Sequence, residues 1–299
     1  MAISIPASAT SSPLVARRGW GPTSRSLLRF RRNRLAVAAL LLLAAVHGLV
    51  LLAAWIAPYG PEAVSLIERL EPPSRAHWLG TDEYGRDVLT RLLYGGRVSL
   101  AVALTSMATS IVIGVAIGAL AGYAGGPTDA ALMRVTDGML AVPLFFVALM
   151  ALATLGATLV NLVLVIGLTS WMTVARAVRA EVLRTRELDF VLAARALGCG
   201  RGRILARHVV PQSIPSITVA ATLGVAFAVL FESSLSFLGL GVQPPAASWG
   251  NMLSGARGYL RTAPGLAVVP GVLIFVTVLC YNWFGDGLRD AIDPTLGER

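Results

Sequence analysis

VSLAVALTSMATSIVIGVAIGALAG, residues Val98 to Gly122, runs for 25 positions without a charge. An α-helix rises about 1.5 Å per residue and the hydrocarbon core of a bilayer is about 30 Å thick, so about 20 apolar residues cross it. In lipid every backbone polar group must be satisfied within the protein, and a helix does this inside one segment. Gly114, Gly118 and Gly122 recur every four residues, a spacing that lets a neighbouring helix approach closely on that face. The stretch therefore reads as a membrane span. The same criterion, carried outward, gives five more. Leu35 to Ala57 is one. Gly138 to Ala175 holds 38 uncharged residues, too many for one helix, and splits near Thr154 to Thr158 into spans near 138–156 and 157–175. A fifth run follows Arg207 and has Pro211 and Pro215 near its start, which puts its regular helix at 215–236. The sixth lies between Arg261 and Asp286, near 264–284. The fold class expected is an all-α integral membrane protein of about six transmembrane helices.

Composition agrees. Of the 299 residues, 56% are hydrophobic and 14% charged, where a soluble domain carries about 25% charge. All 25 basic residues are arginine. Without lysine there is no phosphate-binding loop of the Gly-x-x-x-x-Gly-Lys-Ser/Thr kind, no Schiff base and no lysine general base, so an ATPase of that type is excluded on this chain. Cys199 and Cys280 are 81 positions apart, and His47, His77 and His208 have no ligand spacing, so neither a disulfide framework nor a metal site is expected.

The arginines orient the chain. Residues 1–34 hold seven of them and no acid, which places the N-terminus in the cytoplasm. Six spans then return the C-terminus to the same side, with 18 arginines inside against seven outside, and the cysteines on or near the reducing side. The formal charge of +9 is thus an orientation signal rather than a nucleic-acid footprint. The organisation expected is a basic cytoplasmic tail (1–34), a first anchor (35–57), an external segment (58–97), a core carrying the other spans (98–293) and a short cytoplasmic tail (294–299). Two other readings of the beginning are a cleaved signal peptide, whose apolar core is usually only about 7 to 15 residues, and an organellar transit peptide. Within the external segment, Asp82 to Gly95 places Tyr84, Val88, Leu89, Leu92 and Leu93 on one helical face, as in a helix lying on the outer membrane surface or on the other helices, either a packing element that leads the chain into the second span or a contact for an external partner. In a second external loop, Gly239 to Ala263, Trp249 fits an interfacial anchor.

The inner loop from Arg176 to Pro211 is too long for a turn. Glu187 to Leu197 is a good helix former, Gly198 and Gly200 interrupt it, and Arg203 to Val209 can form a second short helix. Two short helices at an angle make a knob, with Phe190, Val191, Ala194 and Leu197 as an apolar stripe that suits a groove on a soluble partner. Its eight arginines fit anionic lipid headgroups as well. Glu232 is the one acid well inside a span, near the outer end of the fifth, either a pathway or gate residue or a hydrogen-bonding partner of Ser233, Ser234 and Ser236. His47 and Asn161 read as interhelical hydrogen-bonding groups.

Four stretches carry a family resemblance: LGTDEYGRDVLTRLLYGGRVSL from Leu79, Gly122 to Pro143, DFVLAARALGCGRGRILARHVVPQSIPSI from Asp189, and ESSLSFLGLGVQPPAASWGNML from Glu232. Together they resemble the permease subunits of binding-protein-dependent ABC importers, in the dipeptide, oligopeptide and nickel branch, as its C-type subunit. Ala193, Ala194, Gly198, Ile204 and Pro211 match the family's cytoplasmic signature loop. The acid that opens that signature falls at position 192, which here is leucine, and the nearest acid is Asp189.

The resemblance implies a permease in a bacterial inner (plasma) membrane that forms half of a translocation pathway. It implies a second permease subunit, two ATPase subunits that hold the ATP and Mg, an external solute-binding protein, surrounding membrane lipid, and no cofactor or nucleic acid on this chain. The ATPase-coupling loop would then comprise Asp189, Ala193, Ala194, Arg195, Gly198, Ile204 and Pro211, with Arg195 on the exposed side. No constellation here suggests catalysis. An ion-coupled secondary carrier, which wants several intramembrane ionisable groups, and an assembly subunit without its own transport role are the competing classes. The cargo stays open among peptides, nickel and related solutes.

Overall fold

A computed structural model describes residues 22–292; the tail through residue 21 and the segment 293–299 of the expected cytoplasmic ends lie outside the described residues. A short basic helix, α1 (Pro22–Arg32), leads to Asn33, whose side chain accepts from Ala36 N and caps α2 (Arg34–Leu51). One further turn, Ala53–Ile56, completes the first apolar run.

The chain then crosses one end of the molecule without a long helix until α3 (Val88–Ala124), 37 residues and about 55 Å long. Here the structure corrects the sequence. Asp82 to Gly95 is not a separate surface helix: its first part is a turn and its remainder is the beginning of α3, so the segment leads the chain directly into the second span, as the packing reading expects. Two residues decide this. Gly85 has φ +72°, and a Cβ there would lie 1.7 Å from the Ser65 carbonyl oxygen, so the chain cannot be helical at that point. Asp87 then accepts from Thr90 N at 2.7 Å and starts the helix ten residues before the charge-free run at Val98.

The next two helices, α4 (Gly126–Ala141) and α5 (Leu144–Leu155), meet at 81°. Pro143, which has no N–H to donate, sits at the bend. A continuous span at 138–156 is therefore not what forms, because Gly138 to Ala141 are the last turn of α4. After Gly156 the chain turns back through α6 (Leu159–Leu168), breaks at Thr169–Ser170 and continues as α7 (Trp171–Thr185). This helical unit extends ten residues past the 157–175 interval and carries Arg176, Arg179 and Arg184 on helix. Asn161 Nδ2 donates to the carbonyls of Leu155 and Gly156, so it closes the α5–α6 turn rather than bridging distant helices.

The knob follows: α8 (Asp189–Ala196), then a turn at Arg201–Ile204 that runs through a π-helical turn and a 3₁₀ turn into α9 (Ile214–Phe237). A short helix α10 (Trp249–Ala256) and the long α11 (Gly265–Ile292) complete the described chain. Five helical units are long and apolar enough to cross a membrane, or six if the bent α4–α5 pair is one span.

The long helix α3 is the central post. It packs along α7, α6 and α9, while α11 closes against α9 and α2. The glycine spacing has a direct structural result. A Cβ on Gly114 would lie 2.6 Å from Val174 Cβ, on Gly118 2.3 Å from the Ala175 carbonyl oxygen, and on Gly122 2.9 Å from the Arg179 carbonyl oxygen. Backbone meets backbone along this seam, so α7 can sit there only because the glycines present no side chain. On the opposite flank His47 Nε2 and Tyr281 Oη, 3.0 Å apart, join α2 to α11.

Candidate functional site

Two candidate sites lie at opposite ends of α9. From Ile214 to Glu232 is 18 residues, about 27 Å of helix.

The knob is held to the membrane helices by apolar anchors and by ion pairs at its base. Val191, Ile204 and Val209 are completely buried. Arg179 grips Asp129 of α4 through two bonds of 2.5 and 2.6 Å, Arg176 reaches Asp137 at 2.5 Å, and Arg186 donates to the Gly122 carbonyl at the end of α3. Arg184 pairs with Glu181 and Arg186 also with Glu187. Four of the loop's eight arginines are thus engaged near its base. The other four, Arg195, Arg201, Arg203 and Arg207, are exposed and have no acid in ion-pair reach among the described residues.

Around them Phe190, Leu192 and Leu197 are also exposed, Leu197 by 85%. The expected apolar stripe is therefore divided, with Val191 turned into the protein and Phe190 and Leu197 turned out. Asp189 is the first residue of α8 and exposed, where its charge favours the helix start. Ala193 and Arg195 are exposed, and Ala194 is half-buried. Gly198 ends the helix with φ +80°, a left-handed conformation that sets the angle to the next turn. Ile204 is an anchor, and Pro211 lies exposed in the 3₁₀ turn leading to α9. One loop thus holds all seven predicted positions, with Ile204 facing inward and most others outward.

At the other end of α9, Glu232 is completely buried. One carboxylate oxygen accepts from Ser236 Oγ at 2.7 Å; the other accepts from Ser99 Oγ of α3 at 2.9 Å and from Ser233 Oγ at 3.4 Å. The serines are themselves engaged. Ser99 Oγ accepts from Trp249 N at the start of α10, and Ser236 Oγ accepts from Val242 N in the preceding loop. A single carboxylate therefore fastens α3, α9 and the loop into α10. Gly250 permits this approach, since a Cβ there would lie 2.7 Å from Ser233 Cα. Trp249 is not an interfacial anchor: it is completely buried, and its Nε1 donates to the Leu92 carbonyl. A tryptophan in a loop gives no sign of which interior it will fill.

Sequence reading also missed a polar cluster beside α3. Asp82 accepts from Arg86 Nε at 2.7 Å and from Tyr84 N, and lies 3.3 Å from Arg91 Nε. Asp87, besides capping α3, meets His77 Nδ1 at 2.9 Å. The available signal was the density of acids and arginines in TDEYGRDVLTR, but only the turn at Gly85 makes them neighbours. Among the described residues no group of His, Cys, Asp or Glu could hold a metal ion.

The comparisons with known proteins follow the same pieces. Residues 114–296 match the family described as "Binding-protein-dependent transport system inner membrane component", and residues 21–73 match the "N-terminal TM domain of oligopeptide transport permease C". The chain belongs to this family of ABC-importer permeases. A putative peptide permease protein of Brucella suis biovar 1 (strain 1330) is 45% identical to the permease over 276 residues, covering 92% of this chain and 91% of that one. The dipeptide transport system permease protein DppC of Alkalihalophilus pseudofirmus is 37% identical, with 92% and 90% covered. The nickel transport system permease protein NikC of Escherichia coli (strain K12) is 39% identical, with 89% and 97% covered. In fold, the permease resembles a chain of the inward-facing MetNI methionine ABC transporter, with a TM-score of 0.55 and 19% identity over 68% of this chain and 96% of that one. The permease is thus a multi-pass inner-membrane transport component of a binding-protein-dependent ABC importer.

Proposed function

We propose that this permease carries peptides or a related small solute, and that its knob, from Asp189 through Pro211, docks a separate ATPase subunit on the cytoplasmic side. The observation that carries the docking is the division of the knob. Its inner side is tied by Val191, Ile204, Val209 and paired arginines, while its outer side presents four arginines with no acid in reach among the described residues, beside Phe190, Leu192 and Leu197. Apolar residues ringed by exposed positive charge suit an acidic, partly apolar cleft. In this reading a second permease completes the pathway, and two ATPases supply ATP chemistry that a chain without lysine cannot perform in a phosphate-binding loop. A solute-binding protein delivers cargo from outside. Because α7 and α9 flank the knob, movement of docked ATPases would rock both helices, which is alternating access with coupling carried by different contacts in the two states. The peptide assignment rests on the permeases named above. Leu192 in place of the family acid leaves Asp189 as the acidic contribution, one turn earlier.

The test is reconstitution. The complete complex should take up peptide only with ATP and binding protein, and this chain alone in liposomes should take up none. Uptake by the isolated chain would favour an ion-coupled carrier and sink the proposal. For Glu232 the bonding pattern supports fastening rather than gating. The Glu232→Gln complex should then transport with an unaltered pH profile, and a displaced profile would restore the gate.

A further inference from the structure

At the knob end of the bundle, a groove of about 770 Å³ opens between the last turns of α3 and the chain that follows α8. Leu120, Tyr123 and Ala124 of α3 form one wall, and Arg195, Cys199 and Arg201 stand on the other. Gly200 and Gly202 also line it, and a Cβ on either would meet nothing within 4 Å, so the space beside that backbone is open.

Depth, charge and continuity with the membrane surface define what fits there. From Val98 to its end α3 carries no charge, and Leu120 to Ala124 follow Val98 by about 33 to 39 Å of helix, just past a hydrocarbon core about 30 Å thick. The groove therefore lies at headgroup level, where an aromatic side chain such as Tyr123 is favoured. Its charge has one sign. Arg195 and Arg201 are exposed and have no acid in ion-pair reach among the described residues, and no Asp or Glu lines the groove. Arg203 and Arg207, the loop's other two exposed arginines, do not border it. The α3 wall also continues into the membrane. Every fourth residue from Leu104 through Ala108, Val112, Ala116 and Leu120 to Ala124 is exposed, an apolar strip that runs down α3 into the groove. Val112, Ala116 and Leu120 each precede a seam glycine by two positions, about 200° round the helix, so the strip faces away from α7. A free anion would engage the arginines and leave the strip bare, whereas a phospholipid covers both.

We infer that this groove binds an anionic phospholipid of the surrounding bilayer, its phosphate held by Arg195 and Arg201 and an acyl chain lying along the α3 strip. A zwitterionic lipid is held less well, because its own cation meets two arginines and no acid. The lipid would tie the chain after α8 to the end of α3 at the membrane surface. Neither the cargo nor the docking of an ATPase enters this inference.

Cys199 supplies the readout, since it lines the groove and is half-buried, whereas Cys280 is buried. The complete complex in mild detergent is titrated with short-chain phosphatidylglycerol, short-chain phosphatidylcholine or inorganic phosphate, and maleimide labelling of Cys199 is followed by mass analysis of its peptide. Phosphatidylglycerol should slow the labelling at concentrations where phosphatidylcholine and phosphate do not. Arg195→Gln with Arg201→Gln should raise the half-protecting concentration of phosphatidylglycerol about thirty-fold, about five-fold for each arginine. Arg201→Lys, which keeps the charge, should retain most of the protection. If the double variant does not assemble, Arg201→Gln alone is read against the five-fold expectation. Equal protection by the two lipids, or none by either, overturns the site. Protection by inorganic phosphate alone makes it a soluble-anion site and overturns the lipid. A thiol that labels under no condition shows a partner subunit seated in the groove, which overturns the proposal as well.

Discussion

Glu232 shows at the scale of one residue how a membrane protein accommodates a carboxylate. Insertion scales charge about 2.5 to 3.5 kcal/mol for an acid at a helix centre, so it must be compensated from within. Here hydroxyls from Ser99, Ser233 and Ser236 surround it, and two of them also accept a backbone N–H from the loop side. Glu232→Leu would strand the Ser99 and Ser236 protons, at about 1 to 3 kcal/mol each. A clear fall in thermal midpoint in detergent is expected, larger than for Glu232→Gln, and equal midpoints would contradict the network. Gly198 argues differently. Nothing lies within 4 Å of a Cβ there, so size is not the constraint; φ +80° is. Gly198→Ala is expected to cost about 1 to 2 kcal/mol locally and to re-angle the knob. The loss should appear in ATPase stimulation by loaded binding protein, with membrane insertion intact.

Among the elements, the α3–α7 seam is the one whose geometry leaves least freedom. Gly118 faces the Ala175 carbonyl, a backbone atom that cannot rotate away. Gly118→Leu should therefore separate α3 from α7 and loosen the Asp129–Arg179 grip beyond it, whereas Gly138→Ala, on a position with nothing within 4 Å, should be silent. Cysteine cross-linking across the seam distinguishes the two. The glycine periodicity made this contact legible in advance. The bend at Pro143 and the start of α3 at Val88 were not, because apolarity locates lipid-compatible residues without recording where a helix begins. Caps and turns decide that, and the Asp87 cap works only because Gly85 has already turned the chain.

For the whole molecule, charge has two uses. At the base of the knob arginines meet Asp129, Asp137, Glu181 and Glu187; at its tip Arg195, Arg201, Arg203 and Arg207 meet none among the described residues. If the tip docks an acidic cleft, Arg195→Gln with Arg203→Gln should weaken recovery of the ATPase most at low ionic strength, and recovery by the unaltered permease should fall as salt screens the attraction. Recovery by the unaltered permease that does not change with salt, and is not weakened in the double variant, would assign the docking to Phe190, Leu192 and Leu197 instead.

Hydrophobic runs, absent lysine and arginine bias by themselves determined an all-helical membrane chain without a lysine-bearing nucleotide loop, and four matching stretches pointed to its family. These are local or additive properties, readable residue by residue. Tertiary structure alone decided that Val191 turns in while Leu197 turns out, that Trp249 is core, and that Glu232 has its hydroxyl partners on two helices. Each of these depends on which distant segment arrives beside a residue, and close packing of α3 against its neighbours fixes that only once the whole bundle is assembled.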